Sequence, residues 1–203
     1  MTRLAVLILA CLAVTGCASE LVLDTDGALA VIPRKVSSTG HIVVETRLNG
    51  RGPFRFVIDT GASISVVYES ARAKAGIELA PFIQVHVLGM TGSGLYPVGL
   101  VADIRVGDEA WESARVAILP DTAPAAARID GILGVDFLSR YAVLYSQQER
   151  VLRLYPRELV AENSYRGWDR IALRDLRVGD GNVAVFVLDM YIDTQHIATV
   201  FDL

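Results

Sequence analysis

Phe56-Val57-Ile58-Asp59-Thr60-Gly61-Ala62-Ser63 places a carboxylate directly after an apolar run that has the character of a strand entering a core. An ionised carboxylate in such surroundings loses on the order of several kcal/mol of solvation unless hydrogen bonds or a shared proton compensate. Gly61 permits backbone conformations that are closed to other residues, so the chain can turn sharply there. The turn would direct backbone amides and the Thr60 hydroxyl toward Asp59. The stretch therefore predicts a loop that holds one acid in a fixed position.

Two interpretations of Asp59-Thr60-Gly61 remain open from these residues alone. The three residues suit an ordinary turn at a strand end, in which an aspartate accepts local amide hydrogen bonds. The full stretch, however, is similar to the active-site signature of the retropepsin-like aspartic proteases, which runs apolar-apolar-Asp-Thr/Ser-Gly-Ala-Ser/Thr. The resemblance implies that Asp59 is a catalytic carboxylate and that Thr60, Gly61 and Ser63 support it.

The composition argues against several other classes of function. The 203 residues suit one or two small domains, and 52% of them are apolar, which is ample for a core. The net charge of −4 and the lack of a basic cluster argue against a nucleic-acid partner. His41, His86 and His196 are scattered without metal-ligand spacing, so we expect neither a metal nor another cofactor. A serine nucleophile at Ser63 or Ser65 lacks the Gly-x-Ser-x-Gly context.

Residues 1–17 have the features of an export signal. Arg3 supplies a positive charge, and an apolar run too short to span a bilayer follows before small residues lead to Cys17. The ending resembles the bacterial lipobox, after which the cysteine is lipidated and becomes the mature N-terminus. A plain signal peptide cut near Ala18, or a buried apolar helix, is the alternative. We expect an exported lipoprotein that Cys17 anchors to a membrane on the periplasmic side of the bacterial cell envelope.

The rest of the chain is predicted to be mainly β and to fall into three parts. Residues 18–40 are expected to be a tether with one short strand at 28–32. By the resemblance, residues 41–156 form one retropepsin-like lobe, a closed β-barrel with short helices. Residues 157–203 are expected to be an incomplete second lobe of the same kind.

Local signals within 41–156 predict hairpins around one short helix. Residues 42–48 alternate as a strand, Asn49-Gly50 is a strong hairpin signal, and 54–58 return toward Asp59. Residues 66–75 have helical spacing and end at Gly76, which is placed as a C-cap. Further strands are predicted at 83–88, 95–106, 111–119, 142–145 and 151–154.

Gly89-Met90-Thr91-Gly92-Ser93-Gly94 separates two of these predicted strands. Three glycines in six residues predict a flexible hairpin tip, which on the residues alone is a plain surface hairpin. Retropepsin-like proteases carry a glycine-rich flap at this point in the order. The resemblance therefore implies that Met90, Thr91 and Gly92 belong to a lid over a substrate.

Residues 129–138 resemble the segment that closes a retropepsin lobe. Its apolar pair is bracketed by Gly131 and Gly134, and in the family such a segment passes beside the Asp-Thr-Gly loop. A brief helix is predicted to follow. We expect Asp136 to hydrogen-bond that turn rather than to take part in chemistry.

The pattern of the lobe restarts after residue 156. Aligning Asp59 with Asp202 superimposes two apolar strand patterns without a gap, which indicates an internal repeat. Asp202 would then begin a second active-site loop, although Leu203 departs from the Thr or Ser of the family. We expect a truncated two-lobe member; the alternative is that Asp202 is merely a polar residue near a terminus.

The resemblance implies an aspartic endopeptidase, in which two aspartates activate a water for attack on a peptide carbonyl. One acid cannot easily both deprotonate the water and protonate the leaving nitrogen, so Asp59 needs a second carboxylate. That carboxylate would come from Asp202, or from Asp59 of a second copy in a homodimer. The alternative function is a catalytically inactive envelope lipoprotein that binds peptides or a protein partner in the same groove.

Overall fold

The computed structural model describes residues 27–37, 40–89, 92–121, 129–159, 171, 173–178 and 183–200. Strands dominate these ranges, which confirms the predicted mainly β class. The strands are β1 Ala30–Pro33, β2 Lys35–Val36, β3 Ile42–Leu48, β4 Arg51–Ile58, β5 Val66–Tyr68, β6 Glu78–Gly89, β7 Gly92–Val106, β8 Glu109–Leu119, β9 Gly131–Leu133, β10 Tyr141–Ser146, β11 Val151–Pro156, β12 Arg174–Val178, β13 Val183–Ile192 and β14 Gln195–Val200.

The helices are short. Within the described ranges they are α1, Glu69–Ala75, and α2, Val135–Leu138, with a single 3₁₀ turn at Arg157–Leu159. None of the helices in the described part of the chain combines the length and the apolar character needed to cross a bilayer.

The largest sheet of the described chain curls back on itself. Its eight strands lie in the order β2-β3-β4-β9-β5-β8-β7-β6, and β7 also pairs with β3. The second pairing aligns Thr46 with Val106 and Leu48 with Ile104, so it closes a ring of strands. This ring corresponds to the predicted barrel lobe.

A second sheet, in the order β1-β11-β10, packs beside the ring. Ala30 and Ile32 of β1 are each only 2% exposed and belong to the main core, because β1 pairs with β11 along its whole length. The short strand predicted at 28–32 is thus present at Ala30–Pro33, and its buried residues pack in the main core. The tether assigned to 18–40 stays a prediction.

The core is formed by large apolar side chains from most strands of the ring and from α2. Phe137 is fully buried, and its ring lies 6.0 Å from that of Trp111 and 5.4 Å from that of Tyr141. Because Phe137 follows β9 by only a few residues, this packing fixes the segment that adjoins the Asp59 loop. Other fully buried members are Leu48, Phe56, Ile58, Val67, Ile104, Leu133 and Leu154.

The predicted helix at 66–75 is shorter than expected. Its first three residues form β5, because Val66 and Val67 pair in parallel with β8 and antiparallel with β9. Both are β-branched residues that favour strands. Helix α1 begins at Glu69, and the predicted C-cap Gly76 has a left-handed φ of +66° and donates its amide to Ala73 O.

A third sheet, in the order β12-β13-β14, lies in the segment that was predicted to begin a second lobe. Its antiparallel order matches that of β2-β3-β4, as an internal repeat requires. Its register differs by one residue, because Val187 pairs with Val200, whereas the repeat alignment would pair Val187 with Thr199. The two-residue turn of the second hairpin, at 193–194, lies one residue later than the alignment with Asn49-Gly50 places it. The register shift between Thr46 and Leu48 in the first hairpin offsets only part of this difference.

Candidate active site

Asp59 lies directly after β4, at the start of a loop that ends at Ser65. Its Oδ1 accepts hydrogen bonds from the backbone amides of Gly61 at 2.8 Å and Ala62 at 3.0 Å. Its own backbone amide donates to Leu133 O at 3.1 Å. The amides are thus directed at the carboxylate as the sequence predicted, and the half-buried acid has a fixed place at the end of the strand.

The neighbours of Asp59 differ in burial and in hydrogen bonding. Thr60 is buried, in keeping with its predicted supporting position. Ser63 is half-buried, and its side chain makes no hydrogen bond to any residue that the structure describes. Ser65 provides a second buried hydroxyl of the loop beside that of Thr60, and it has no exposed surface. Sequence reasoning overlooked this residue as a support, although it stands immediately before the apolar start of β5.

Strand β9 is inserted between two strands that flank the Asp59 loop. It runs parallel to β4, where Ile58 pairs with Leu133, and antiparallel to β5, where Val66 pairs with Ile132. The strand therefore passes beside the loop, as predicted for residues 129–138. Further backbone bonds join the same elements, with Val135 N donating to Ala62 O at 2.8 Å.

The glycines that bracket β9 permit this close passage. A Cβ at Gly131 would overlap the Phe56 ring and Val66 O, and a Cβ at Gly134 would lie 2.6 Å from Ala62 O. Any side chain at either position would therefore push the backbone of the closing segment away from the loop.

Ser65 and Asp136 join the Asp59 loop to the start of α2. The Ser65 amide donates to Asp136 Oδ2 at 2.8 Å, and the Ser65 hydroxyl donates to Asp136 Oδ1 at 2.6 Å. The hydroxyl also accepts the Gly134 amide at 3.0 Å. Asp136 Oδ1 accepts the Phe137 amide at 2.9 Å, so Asp136 hydrogen-bonds its own turn, as predicted.

The pKa of the Asp136 carboxyl is raised above its usual value because burial disfavours the charged form. The hydrogen bonds from Ser65 and Phe137 act in the opposite direction and offset only part of this effect. An ionised Asp136 therefore carries a cost in folding free energy while it ties the loop to α2.

The hairpin of β6 and β7 occupies the place of the predicted flap. Its two strands are paired as far as Gly89 and Gly92. The tip between the strands is therefore shorter than the six residues predicted, 89–94. Gly92 is thus the first residue of β7. Met90 and Thr91, between the strands, lie outside the described residues, as do Cys17 and Asp202, and the roles given to all four remain predictions.

Within the described ranges, no group of three or more His, Cys, Asp or Glu side chains is arranged to hold a metal ion. The chemistry that the described site offers is that of a carboxylate in a defined orientation. A carboxylate so placed can accept a proton from water, and a second acid is needed to protonate a leaving group.

A comparison with protein families matches the part of the chain that contains the Asp59 loop. Residues 44–137 match the family model of the aspartyl proteases, a range that includes the Asp59 loop, the β6–β7 hairpin and β9. This match supports the predicted retropepsin-like aspartic protease family. A search of curated proteins found no match.

Two solved structures are similar to the chain. One is the crystal structure of a retropepsin-like aspartic protease from Rickettsia conorii, with 20% identity over 62% of this chain and 89% of that chain, and a TM-score of 0.46. The other is the retroviral protease-like domain of Ddi1 from Leishmania major, with 15% identity over 60% of this chain and 94% of that chain, and a TM-score of 0.41.

Proposed function

We propose, from the aspartyl-protease match over residues 44–137, that this chain is an aspartic endopeptidase in which Asp59 is a catalytic carboxylate. The observation that carries the proposal is the orientation of Asp59, whose Oδ1 is held by the amides of Gly61 and Ala62 at the end of β4. A carboxylate oriented by fixed dipoles needs little reorganisation when it exchanges a proton.

The proposed reaction is hydrolysis of a peptide bond by a water molecule. One carboxylate of a pair removes a proton from the water as its oxygen attacks the carbonyl carbon, and the other donates a proton to the leaving nitrogen. Two carboxyl groups roughly 3 Å apart cannot both be ionised, so the pair holds one proton between attacks. Asp59 is the member of this pair that the described residues contain.

The third sheet favours the chain itself as the source of the second carboxylate. The order β12-β13-β14 repeats that of β2-β3-β4, and Asp202 follows β14 closely, as Asp59 follows β4. Asp59 of a second copy is the other possible source, and it would require a homodimer with twofold symmetry.

The β6–β7 hairpin is proposed to close over an extended peptide substrate. Strand β6 lies at the edge of the sheet, where a peptide strand can pair with its backbone. The hairpin also exposes apolar side chains, with Leu95 63% and Ile83 46% exposed. Both features suit contact with a peptide that carries apolar side chains.

We also propose that Cys17 anchors the protein to a membrane of the bacterial envelope as a lipoprotein. The apolar run and the small residues before Cys17 support this proposal. Expression of the full chain in a bacterial host with labelled palmitate should give a labelled protein in the membrane fraction. Cys17→Ala should abolish the label, and retention of the label by this variant would contradict the anchor.

The test of the catalytic proposal is Asp59→Asn, which keeps the size of the side chain but removes its ability to exchange a proton. Cleavage of a fluorogenic peptide library should fall about 10²- to 10⁴-fold. The thermal unfolding midpoint should change little, because an asparagine Oδ1 can still accept the Gly61 and Ala62 amides.

The matched control for this test is Asp121→Asn, since Asp121 also accepts hydrogen bonds but lies on the exposed surface beside α1. Its cleavage rate should equal that of the wild type. Undiminished cleavage by Asp59→Asn would refute the mechanism. A wild-type protein that binds peptides without cleaving them would favour the binding lipoprotein instead.

A further inference from the structure

The links between the Asp59 loop and the closing segment are of two kinds. Some join backbone to backbone, such as Asp59 N to Leu133 O and Val135 N to Ala62 O, and they depend only on the path of the chain. The others run through the side chains of Ser65 and Asp136. The end of the loop therefore depends on two particular residues as well as on its backbone.

The direction of each side-chain hydrogen bond follows from counting donors and acceptors. The Gly134 amide can only donate, so it occupies one acceptor site of the Ser65 hydroxyl. The Phe137 amide can only donate to Asp136 Oδ1, which also accepts the proton of the Ser65 hydroxyl. The Ser65 amide can only donate to Asp136 Oδ2. An acceptor is thus required at both oxygens of Asp136, which a carboxylate provides and a side-chain amide does not.

The surroundings make this arrangement stiff. Ser65 has no exposed surface, Val135 and Phe137 on either side of the half-buried Asp136 are buried, and so is Gly134. Water therefore cannot readily replace a hydrogen bond that is lost from Ser65, and an unpaired polar group would remain buried.

We propose that Asp136 is a positioning residue for Asp59, acting through Ser65 to hold the 59–65 loop against β9. The role rests on the proposed function, because the loop matters to a reaction only if Asp59 is catalytic. Asp136 contacts no substrate in this role. It keeps the Gly61 and Ala62 amides in the place from which they orient the Asp59 carboxylate.

The chain contains a matched control for this arrangement. Asp121 accepts the Ser70 amide at 3.1 Å and the Ser70 hydroxyl at 2.8 Å, which is the same pair of hydrogen bonds on the exposed surface at the start of α1. Asp136→Asn and Asp121→Asn therefore remove the same acceptor from the same kind of partner. Only the first is expected to disturb the Asp59 loop.

The experiment measures amide hydrogen exchange at Gly61 and Ala62 together with kcat and KM for a peptide substrate. In Asp136→Asn, exchange at both amides should rise about tenfold, since one hydrogen bond of the loop is replaced by two opposed donors. The kcat should fall about 10- to 100-fold with KM within about twofold, because the acid is displaced while the binding groove is kept. Asp121→Asn should match the wild type in every measurement.

The outcomes separate this proposal from the proposed function. If the wild type cleaves no peptide, the exchange measurement still tests the positioning role. Unchanged exchange and kcat in Asp136→Asn, or equal losses in Asp121→Asn, would overturn it while leaving the peptidase assignment intact. If Asp136→Asn does not fold, Ser65→Ala removes the hydroxyl link and is judged by the same criteria.

Discussion

Asp59 and Asp136 both accept hydrogen bonds from the 59–65 loop, but the donors lie at different distances from them along the chain. Asp59 accepts amides from its own turn, so its orientation is a local property of Asp-Thr-Gly. Asp136 accepts the amide and hydroxyl of Ser65, which lies far from it in sequence. The first arrangement could be predicted from the spacing of residues along the chain, whereas the second requires the fold.

The raised pKa of Asp136 predicts a pH dependence of stability. Because its pKa is higher in the folded protein than in the unfolded chain, the folded state binds the proton more tightly. The resulting stabilisation is complete below the unfolded pKa of about 3.8 and is lost as the pH rises through the raised folded value. The free energy of unfolding of the wild type, relative to that of Asp136→Asn, should therefore fall as the pH rises.

Denaturant unfolding of both proteins at a series of pH values between about 3 and 7 measures this difference. Comparison with Asp136→Asn cancels the titration of the other carboxyl groups. A difference that stays constant, or that grows with pH, would contradict the raised pKa.

Strand β9 is the element that connects the fold to the site. It is only three residues long, yet it pairs with both β4 and β5 and so fixes the two ends of the loop that carries Asp59. Its neighbours pack this tightly because Gly131 and Gly134 have no side chains. The position of Asp59 thus depends on a short strand that begins at one glycine and is followed by another.

Gly131→Ala tests this role of β9. The added methyl group would overlap the Phe56 ring and a strand carbonyl, so the core must shift, and we expect a loss of about 1–3 kcal/mol in the free energy of unfolding. Gly94→Ala is the control, because its added methyl group would meet only the side chain of Tyr96, which can move. If the two variants had the same free energy of unfolding in denaturant, the prediction that β9 cannot accommodate a methyl group at Gly131 would be wrong.

Elements with local signals were predictable from the sequence, and those that depend on distant partners were not. Strand β3 and its turn at Asn49-Gly50 follow from alternation and turn chemistry, and both are present at the predicted residues. The strand character of Val66 and Val67 was missed, because it depends on pairing with β8 and β9. The link from Ser65 to Asp136 is not predictable from the family signature, because the signature ends before Ser65. The supporting roles of Thr60, Gly61 and Ser63 stay predictions.

The described residues form one closed ring of strands and two three-stranded sheets, and the sheet of β12, β13 and β14 has the same antiparallel order as β2, β3 and β4. In the first unit, β9 and β5 complete the surroundings of Asp59 after the β3–β4 hairpin. In the second sheet, β13 and β14 form the hairpin that the repeat alignment sets against β3 and β4, and its register differs because its turn lies one residue later on both strands. The sequence thus places an aspartate after each of two antiparallel hairpins, Asp59 after β3–β4 and Asp202 after β13–β14.

The source of the second carboxylate gives a prediction for the whole molecule. If Asp202 of the same chain supplies it, the rate of peptide cleavage should be proportional to enzyme concentration, and the specific activity should stay constant on dilution. Asp202→Asn should then lose activity to the same extent as Asp59→Asn, about 10²- to 10⁴-fold. A dimer with paired Asp59 residues predicts the opposite on both counts. Specific activity would fall on dilution as the dimer dissociates, and Asp202→Asn would keep its activity. Light scattering across the same dilution series shows whether a loss of activity coincides with dissociation of a dimer. A cleavage rate that is second order in enzyme concentration would refute the single-chain pair.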